Sequence, residues 1–148
     1  RKDEIELNSL IEEVLADLEP LAQEKEVKLV EESEELVMTG SDILIYRMIY
    51  NLVENAIKYN HVGGQVLVKA VQKDTNIVIE VEDTGNGISE EFRERVFEPF
   101  FRVDKSRSRA LGGVGLGLAM VREIVRVHDG KISIKENEYG GTTFEVVL

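Results

Sequence analysis

The stretch NLVENAIKY, residues 51–59, lies inside a long apolar helical pattern that begins near Ile43. At about 100° per residue, Asn51, Asn55 and Lys58 fall within roughly 60° of one another on one face of this helix. A plain solvated face is one interpretation. Asparagine is a weak helix former, however, and such a face would more often carry Glu, Lys or Gln. Two asparagines one turn apart therefore favour contacts with a ligand.

Composition limits the possible classes of protein. The chain has 148 residues, 43% of them hydrophobic, which is enough for one domain with a buried core, and we interpret residues 1–148 as a single domain. Its net charge of −11 argues against nucleic acid and anionic membranes as partners, although positive residues concentrate between Arg102 and Arg109. The absence of cysteine excludes disulfides, thiolate zinc sites and thiol nucleophiles, and it suits a reducing cytosol.

The sequence contains no membrane or secretion signal. No apolar run approaches the ~20 residues of a membrane-spanning helix, and the segment from Arg1 to Glu4 does not resemble a signal peptide. We therefore expect a soluble domain with no direct membrane contact. A start without methionine in a charged helical register suggests a fragment of a longer protein, although processing would produce the same end.

Apolar periods and turn signals predict the other elements. The first helix is expected to follow an N-cap at Asn8, with Pro20 as a potential kink, and the acidic segment 31–35 is expected to form a turn. The helix that carries the two asparagines is expected to be capped near Ser41 or Asp42. Strands are predicted at residues 5–7, 27–30, 36–38, 65–71, 76–82, 131–136 and 142–147.

The strand at 76–82 runs directly into the sequence DTGNGI, residues 83–88. A carboxylate only accepts hydrogen bonds, so a partly buried Asp83 would select a donor such as the exocyclic amine of adenine and reject the carbonyl of guanine. Gly85 and Gly87 allow a tight turn and close approach of a flat ligand. A plain turn is the alternative. A calcium loop is rejected because the two glycines supply no side-chain oxygens.

Residues 103–113 combine Arg and Lys with Ser and Gly, which predicts a mobile, positive loop. The loop leads into GGVGLGL, residues 112–118, at the start of a helix predicted to reach about Val127. Free N–H groups at such a helix start bind phosphate oxygens, helped by the helix dipole. The P-loop and dinucleotide motifs both fail here, because no Lys-Ser or Lys-Thr pair follows Gly117 and the G-x-G-x-x-G spacing is absent.

Two further segments favour purely structural roles. The phenylalanines within residues 97–101 are expected in the core, after a short capped helix at 89–95. Residues 128–130, His-Asp-Gly, are expected to end the last helix, with Gly130 as its stop and His128 near the negative end of the helix dipole.

Four motifs, taken in this order and spacing, resemble the catalytic, ATP-binding domain of sensor histidine kinases. NLVENAIKY is similar to the N box of that family, DTGNGI to its first glycine box, FEPFFRVD (residues 97–104) to its F box and GGVGLGLAM (residues 112–120) to its second glycine box. DNA gyrase, the Hsp90 chaperones and MutL belong to the same superfamily. The resemblance implies an α+β, two-layer sandwich of the Bergerat type: a mixed, mainly antiparallel sheet packed on three helices, with an ATP lid.

The resemblance also assigns roles to residues that match the motifs. It implies that Asn55 coordinates Mg²⁺ through its amide oxygen, with Asn51 in the same phosphate and metal site, while Lys58 meets phosphate and Tyr59 lines the nucleotide pocket. Asp83 is implied to take the adenine amine, directly and through water. The other implied contacts with ATP are Gly85, Gly87 and Ile88 beside the base, Arg102 at the terminal phosphate, and Gly113, Gly115, Leu116, Gly117 and Leu118 along the phosphate chain.

Asn51 separates the possible reactions within the superfamily. Gyrase-like ATPases and the anti-sigma serine kinases carry at this place a Glu that can polarise a nucleophile, and Asn51 cannot act as that base. A neutral imidazole is already a nucleophile, so histidine phosphorylation needs positioning and charge neutralisation more than a base. Neither His61 nor His128 has the surroundings of an acceptor.

We therefore expect transfer of the γ-phosphate of Mg-ATP to a histidine on a separate dimerisation and phosphoacceptor domain, with Asn51, Lys58 and Arg102 as catalytic residues. The resemblance implies two-component signalling with a response regulator downstream. It also implies a cytoplasmic location, where the parent kinase is either free or anchored in the cell membrane. An ATPase or a serine kinase of the same superfamily is the alternative, and a degenerate nucleotide sensor is a non-enzymatic one.

Overall fold

A computed structural model describes residues 3–85, 93, 95–98 and 117–148. These residues form three α-helices, seven strands and one short 3-10 helix. In chain order the elements are β1 (Asp3–Glu6), α1 (Leu7–Lys25), β2 (Lys28–Ser33), β3 (Val37–Gly40), α2 (Asp42–Lys58), β4 (Gln65–Lys73), β5 (Asn76–Asp83), the 3-10 helix (Arg95–Phe97), α3 (Gly117–Val127), β6 (Lys131–Glu136) and β7 (Thr142–Val147). None of the helices in this described part combines the length and the apolar character that a membrane span requires.

Five strands form one sheet in the order β2-β4-β5-β7-β6, while β1 and β3 form a separate antiparallel pair. Only β2 and β4 run parallel, and the other neighbours in the large sheet are antiparallel. A parallel pair needs a long crossover, which β3 and α2 supply here. The predicted mixed, mainly antiparallel sheet is confirmed.

The three helices cover one face of this sheet. Along β4, the buried residues Val66, Val68 and Ala70 alternate with less buried neighbours, as the period of two in a strand requires. Helix α2 buries a stripe at i, i+3 and i+4 spacing, and each such side chain contributes roughly 1.5–3 kcal/mol. The stripe consists of Ile45, Met48, Ile49, Leu52, Val53, Ala56 and Ile57. The predicted two-layer sandwich is therefore confirmed.

Helix α1 begins earlier than the sequence predicted. Asn8 is its second residue and not its N-cap; the N-cap is Glu6, which makes no side-chain cap. Leu7 is fully buried, so the apolar stripe of α1 already starts at its first residue, and the Asn8 amide oxygen lies 3.4 Å from the N–H of Leu36. Pro20 does not end the helix, which continues to Lys25.

The acidic segment 31–35 was predicted as a turn, and this is wrong for its first three residues. Glu31 and Glu32 belong to β2, where they pair with Val68 and Lys69 of β4. Backbone pairing with β4 therefore outweighs the local turn preference of a charged segment. Ser41 caps α2 as predicted, because its hydroxyl accepts the N–H of Leu44.

Helix α3 ends at Val127 as predicted, but the role of Gly130 differs from the prediction. Asp129 adopts the left-handed conformation, with φ of 57°, and Gly130 does not. Gly130 is required for a different reason, since a Cβ there would lie 2.6 Å from the Val147 carbonyl oxygen. His128 is structural: its Nδ1 lies 2.8 Å from the Ile124 carbonyl oxygen, and its Nε2 accepts the N–H of Ser41 at 3.1 Å. It joins the end of α3 to the start of α2.

Phe97 is the only phenylalanine of residues 97–101 within the described part of the chain. It is buried and meets Phe144 edge-on, with ring centres 6.3 Å apart. The segment predicted as an ATP lid and most of the predicted helix at 89–95 lie outside the described residues.

Candidate functional site

Asn51 lies where α2 passes the start of α3. Its Nδ2 donates to the Arg47 carbonyl at 2.8 Å, and because a carbonyl only accepts, this contact fixes the amide with Oδ1 turned away from Arg47. Gly117, the first residue of α3, lies beside that oxygen, since a Cβ on Gly117 would be 3.1 Å from Asn51 Oδ1. The first N–H groups of a helix lack partners within the helix and carry its positive dipole end. An oriented amide and a helix N-terminus therefore share one place.

Asn55 and Lys58 continue the same half-buried face of α2. Lys58 Nζ lies 3.8 Å from the Glu54 carboxylate, with the two side chains 24% and 30% exposed. A partly exposed pair at i,i+4 contributes no more than ~0.5 kcal/mol. Exchanging this partner for a phosphate would therefore cost little.

Asp83 stands at the end of β5 as a partly buried carboxylate. Its Oδ1 accepts the N–H of Gly85 at 2.9 Å and the N–H of Thr142 at 3.2 Å. Burial raises the pKa of the Asp83 carboxyl above its ordinary value of 3.8, and the two N–H donors offset part of that rise. The group is thus a fixed hydrogen-bond acceptor at a strand end.

Gly85 brings the Asp83 loop against the end of α2. A Cβ at this position would lie 2.6 Å from the Tyr59 carbonyl oxygen, a distance that no side chain tolerates. Tyr59 is the C-cap of α2, and its N–H donates to the Asn55 carbonyl at 3.1 Å. Gly85 is therefore required for close approach to protein backbone, while the predicted approach of a flat ligand stays a prediction.

Together these residues outline an elongated site along α2. From Asn51 to Tyr59 the helix rises about 12 Å. One end carries the Asp83 acceptor and the other the Asn51 amide with the start of α3. This arrangement suits a ligand with a hydrogen-bond donor at one end and negative charge at the other.

The amide oxygens of Asn51 and Asn55 are hard oxygen donors of the kind that Mg²⁺ accepts. Within the described ranges, no group of three or more His, Asp or Glu side chains could hold a metal ion. The residues present therefore fit a metal whose remaining ligands come from phosphates and water.

Several predicted site residues lie outside the described residues and remain predictions. They are Gly87, Ile88, Arg102, Gly113, Gly115 and Leu116. Leu118 is described: its side chain packs on the core, while its N–H belongs to the first turn of α3.

Some polar residues around Asp83 were missed by the sequence analysis. Thr142 and Thr143 are only 3% and 5% exposed, and the pairing of β5 with β7 places Thr143 opposite Glu82. Asn137 Nδ2 donates to the Asp83 carbonyl at 2.8 Å. The only local feature that could have indicated these residues was the pair of threonines at the start of a buried strand. That feature does not show which strand pairs with them.

A surface hollow with a volume of about 630 Å³ borders Asn51 on the side of α1 and α3. Its wall includes Tyr46 and Tyr50, whose rings stack with centres 5.9 Å apart, and Ile43, which is 69% exposed. Burial, with a hydrogen bond to Asp17, raises the pKa of Tyr46 to about 12. The hollow is open beside the predicted phosphate end of the site.

The site combines the oriented Asn51 amide on one helix, a partly buried acceptor at a strand end and a second helix that begins with a glycine. This combination is typical of a nucleotide-binding α+β domain. Comparison with known families agrees with this class. The family of histidine kinase-, DNA gyrase B-, and HSP90-like ATPases matches residues 40–148. This chain therefore belongs to that family.

Individual relatives of this chain are sensor histidine kinases. The sensor-like histidine kinase SenX3 of Mycobacterium tuberculosis is 36% identical over 146 residues, which are 98% of this chain and 36% of SenX3. The sensor histidine kinase RppB of Synechocystis is 34% identical over 144 residues, or 96% of this chain and 32% of RppB. The chain thus spans about a third of the length of these curated relatives.

Solved structures give the same class. The nucleotide-free catalytic domain of histidine kinase ThkA has a TM-score of 0.88 at 28% identity, covering 100% of this chain and 95% of that domain. The mycobacterial sensor histidine kinase MprB has a TM-score of 0.86 at 26% identity, and the match covers 100% of this chain and 97% of the MprB chain. Histidine kinase ThkA in complex with the response regulator protein TrrA has a TM-score of 0.84 at 28% sequence identity. The match covers 99% of this chain and 41% of that ThkA chain. Over its whole length, the chain is therefore similar to the catalytic domains of histidine kinases.

Proposed function

We propose that this domain binds Mg-ATP and transfers its γ-phosphate to a histidine on a separate dimerisation and phosphoacceptor domain of the parent kinase. The main support for this proposal is the orientation of the Asn51 amide. The Arg47 carbonyl holds the amide so that Asn51 Oδ1 lies beside Gly117 at the start of α3. A neutral amide stands where an ATPase would need a base. The site can therefore position and neutralise phosphates but cannot activate water at this residue.

At the base end, Asp83 accepts the exocyclic amine of adenine, directly and through water. Oδ1 already takes two backbone N–H groups, so we assign the amine to Oδ2. Gly85, held against the end of α2 at Tyr59, forms the adjoining wall. Gly87 and Ile88 continue that wall in this proposal.

At the phosphate end, Asn55 and Asn51 hold Mg²⁺ through their amide oxygens, and Lys58 and Arg102 meet the phosphates. Bound Mg²⁺ would neutralise charge that develops on the transferred phosphoryl group. Neutral amide ligands suffice because the phosphates balance the charge of the metal. The N–H groups of the second glycine box contact the phosphate chain, at Gly113, Gly115, Leu116, Gly117 and Leu118.

The proposal includes two protein partners, a phosphoacceptor domain and a response regulator. An acceptor histidine must reach the terminal phosphate, and the open hollow beside Asn51 gives a protein access from the side of α1 and α3. The complex of ThkA with TrrA supports a response regulator as the downstream partner. We place the domain in the cytoplasm, without direct contact to membrane or nucleic acid, in keeping with its net charge of −11.

With ATP alone, this chain should neither label itself nor hydrolyse ATP rapidly, because Asn51 cannot activate water and the acceptor is absent. Incubation with γ-labelled ATP, followed by gel autoradiography and a phosphate-release assay, measures both. Boiled chain gives the background. Rapid hydrolysis would instead support an ATPase of the same superfamily.

A further inference from the structure

The turn between α2 and β4 holds a polar network that the proposed nucleotide contacts do not include. Asn60 is only 9% exposed; its Nδ2 donates to the Gln65 carbonyl at 3.0 Å, and its Oδ1 accepts the N–H of His61 at 2.9 Å. Gly64 is needed beside it, because a Cβ there would lie 2.1 Å from Asn60 Oδ1. The buried amide fixes the shape of this turn.

Thr84, the residue after the adenine acceptor, is tied to this turn. Its N–H donates to the Gln65 carbonyl at 3.2 Å, and its Oγ1 accepts the N–H of Gln65 at 2.9 Å. The same hydroxyl lies 3.3 Å from Asn60 Oδ1, to which it donates. The N-terminal side of Thr84 is therefore anchored by the Gln65 backbone and the buried Asn60 amide.

His61 anchors the C-terminal side of Thr84. Its Nε2 lies 2.7 Å from the Thr84 carbonyl oxygen, and because a carbonyl only accepts, Nε2 carries the proton in this bond. That carbonyl belongs to the same peptide plane as the N–H of Gly85, which donates to Asp83 Oδ1 at 2.9 Å. A peptide unit is planar. Fixing its oxygen at His61 therefore fixes the direction of the N–H that holds the Asp83 carboxylate.

We propose that His61 is a positioning residue for adenine selection: it holds the Thr84–Gly85 peptide so that Asp83 keeps one carboxylate oxygen aimed at the purine amine. This inference rests on the proposed function of the site. It concerns the base end only, because His61 follows the end of α2 that lies farthest along the helix from Asn51. The selectivity for adenine is thus shared between Asp83 and the exposed imidazole of His61, which are linked through the Thr84–Gly85 peptide.

The test compares two variants of similar length, His61→Gln, which can donate a hydrogen bond, and His61→Met, which cannot. ATP, GTP and inorganic tripolyphosphate are titrated calorimetrically with Mg²⁺ into each. His61→Met should weaken ATP binding ~3–10-fold, because the Thr84–Gly85 peptide must then be ordered on binding without the hydrogen bond that now preorganises it. It should reduce the ATP-to-GTP preference by a similar factor and leave tripolyphosphate binding unchanged. His61→Gln should restore most of the ATP affinity.

An unchanged ATP-to-GTP preference in His61→Met, with a selective wild type, would overturn this role of His61 alone. Equal losses for ATP and tripolyphosphate would also overturn it, since they indicate general damage. Thermal unfolding of the nucleotide-free variants should stay within about 4 °C of wild type, because only one hydrogen bond of an exposed side chain is lost. A wild type that binds ATP and GTP equally would reject the adenine assignment of Asp83, and the role of His61 with it.

Discussion

Replacing Asp83 with Asn should weaken ATP binding by ~10-fold or more and remove the preference for ATP over GTP. The side chain would still accept the N–H groups of Gly85 and Thr142 through Oδ1, as the carboxylate does now. Its other atom, however, becomes an NH₂ donor facing the adenine amine, and the charge-assisted hydrogen bond is lost. Isothermal titration calorimetry with ATP, ADP and GTP measures the effect.

The Asp83→Asn variant should remain as stable as wild type at pH 7. Burial raises the pKa of Asp83, so any stability this group contributes is fully present below its ordinary pKa of 3.8 and lost as pH rises through the raised value. At neutral pH, the Asn side chain therefore avoids the desolvation cost of a partly buried carboxylate. Nucleotide affinity should depend on pH in the opposite direction. It should weaken as pH falls through the raised pKa, because the carboxylate that accepts the adenine amine becomes protonated. A lowered melting temperature, or equal wild-type affinities for ATP and GTP, would contradict this description of the site.

Replacing Asn55 with Ala should remove the Mg²⁺-dependent part of ATP affinity and lower phosphate transfer by ~10-fold or more. The substitution deletes a proposed metal ligand and leaves the Asp83 end intact, so binding without Mg²⁺ should change little. Titration of Mg²⁺ at a fixed concentration of a non-hydrolysable ATP analogue provides the measurement. Asparagine is a weak helix former, so Ala should not destabilise α2.

Asn76→Ala is the matched control for Asn55→Ala. Asn76 is an exposed asparagine at the start of β5, away from the site, and its replacement should keep the wild-type Mg²⁺ dependence. An unchanged Mg²⁺ dependence in Asn55→Ala would place the metal elsewhere. Loss in both variants would indicate a general effect of asparagine removal.

The parts of the site that lie on one continuous element were predictable from sequence. The spacing of its apolar residues predicts helix α2, and the same helical period places Asn51, Asn55 and Lys58 on one face. Asp83 directly follows an apolar strand, so its place at a strand end needed no knowledge of tertiary contacts. Ser41 as the N-cap of α2 was local as well.

The parts that depend on contacts distant in sequence were not predictable. Thr142 reaches Asp83 only because β7 pairs with β5, and no local signal specifies that register. The burial of Asn60 was not predictable from sequence, because its hydrogen-bond partners Gln65 and Thr84 come close to it only in the folded structure. Local preferences also failed where tertiary packing opposed them, at Asn8 and in residues 31–33 of the acidic segment.

The central claim, phosphate transfer to a histidine on a separate domain, is tested most directly by mixing this chain with the separately expressed dimerisation and phosphoacceptor domain of the same parent and γ-labelled ATP. Label should appear on the acceptor as acid-labile, base-stable phosphohistidine, slowly, because the two pieces must first meet. Arg102→Ala should reduce this transfer more than it reduces ADP binding, since its proposed contact is with the phosphate that leaves. Acid-stable phosphoserine on the partner, or no label despite tight ATP binding, would contradict the account.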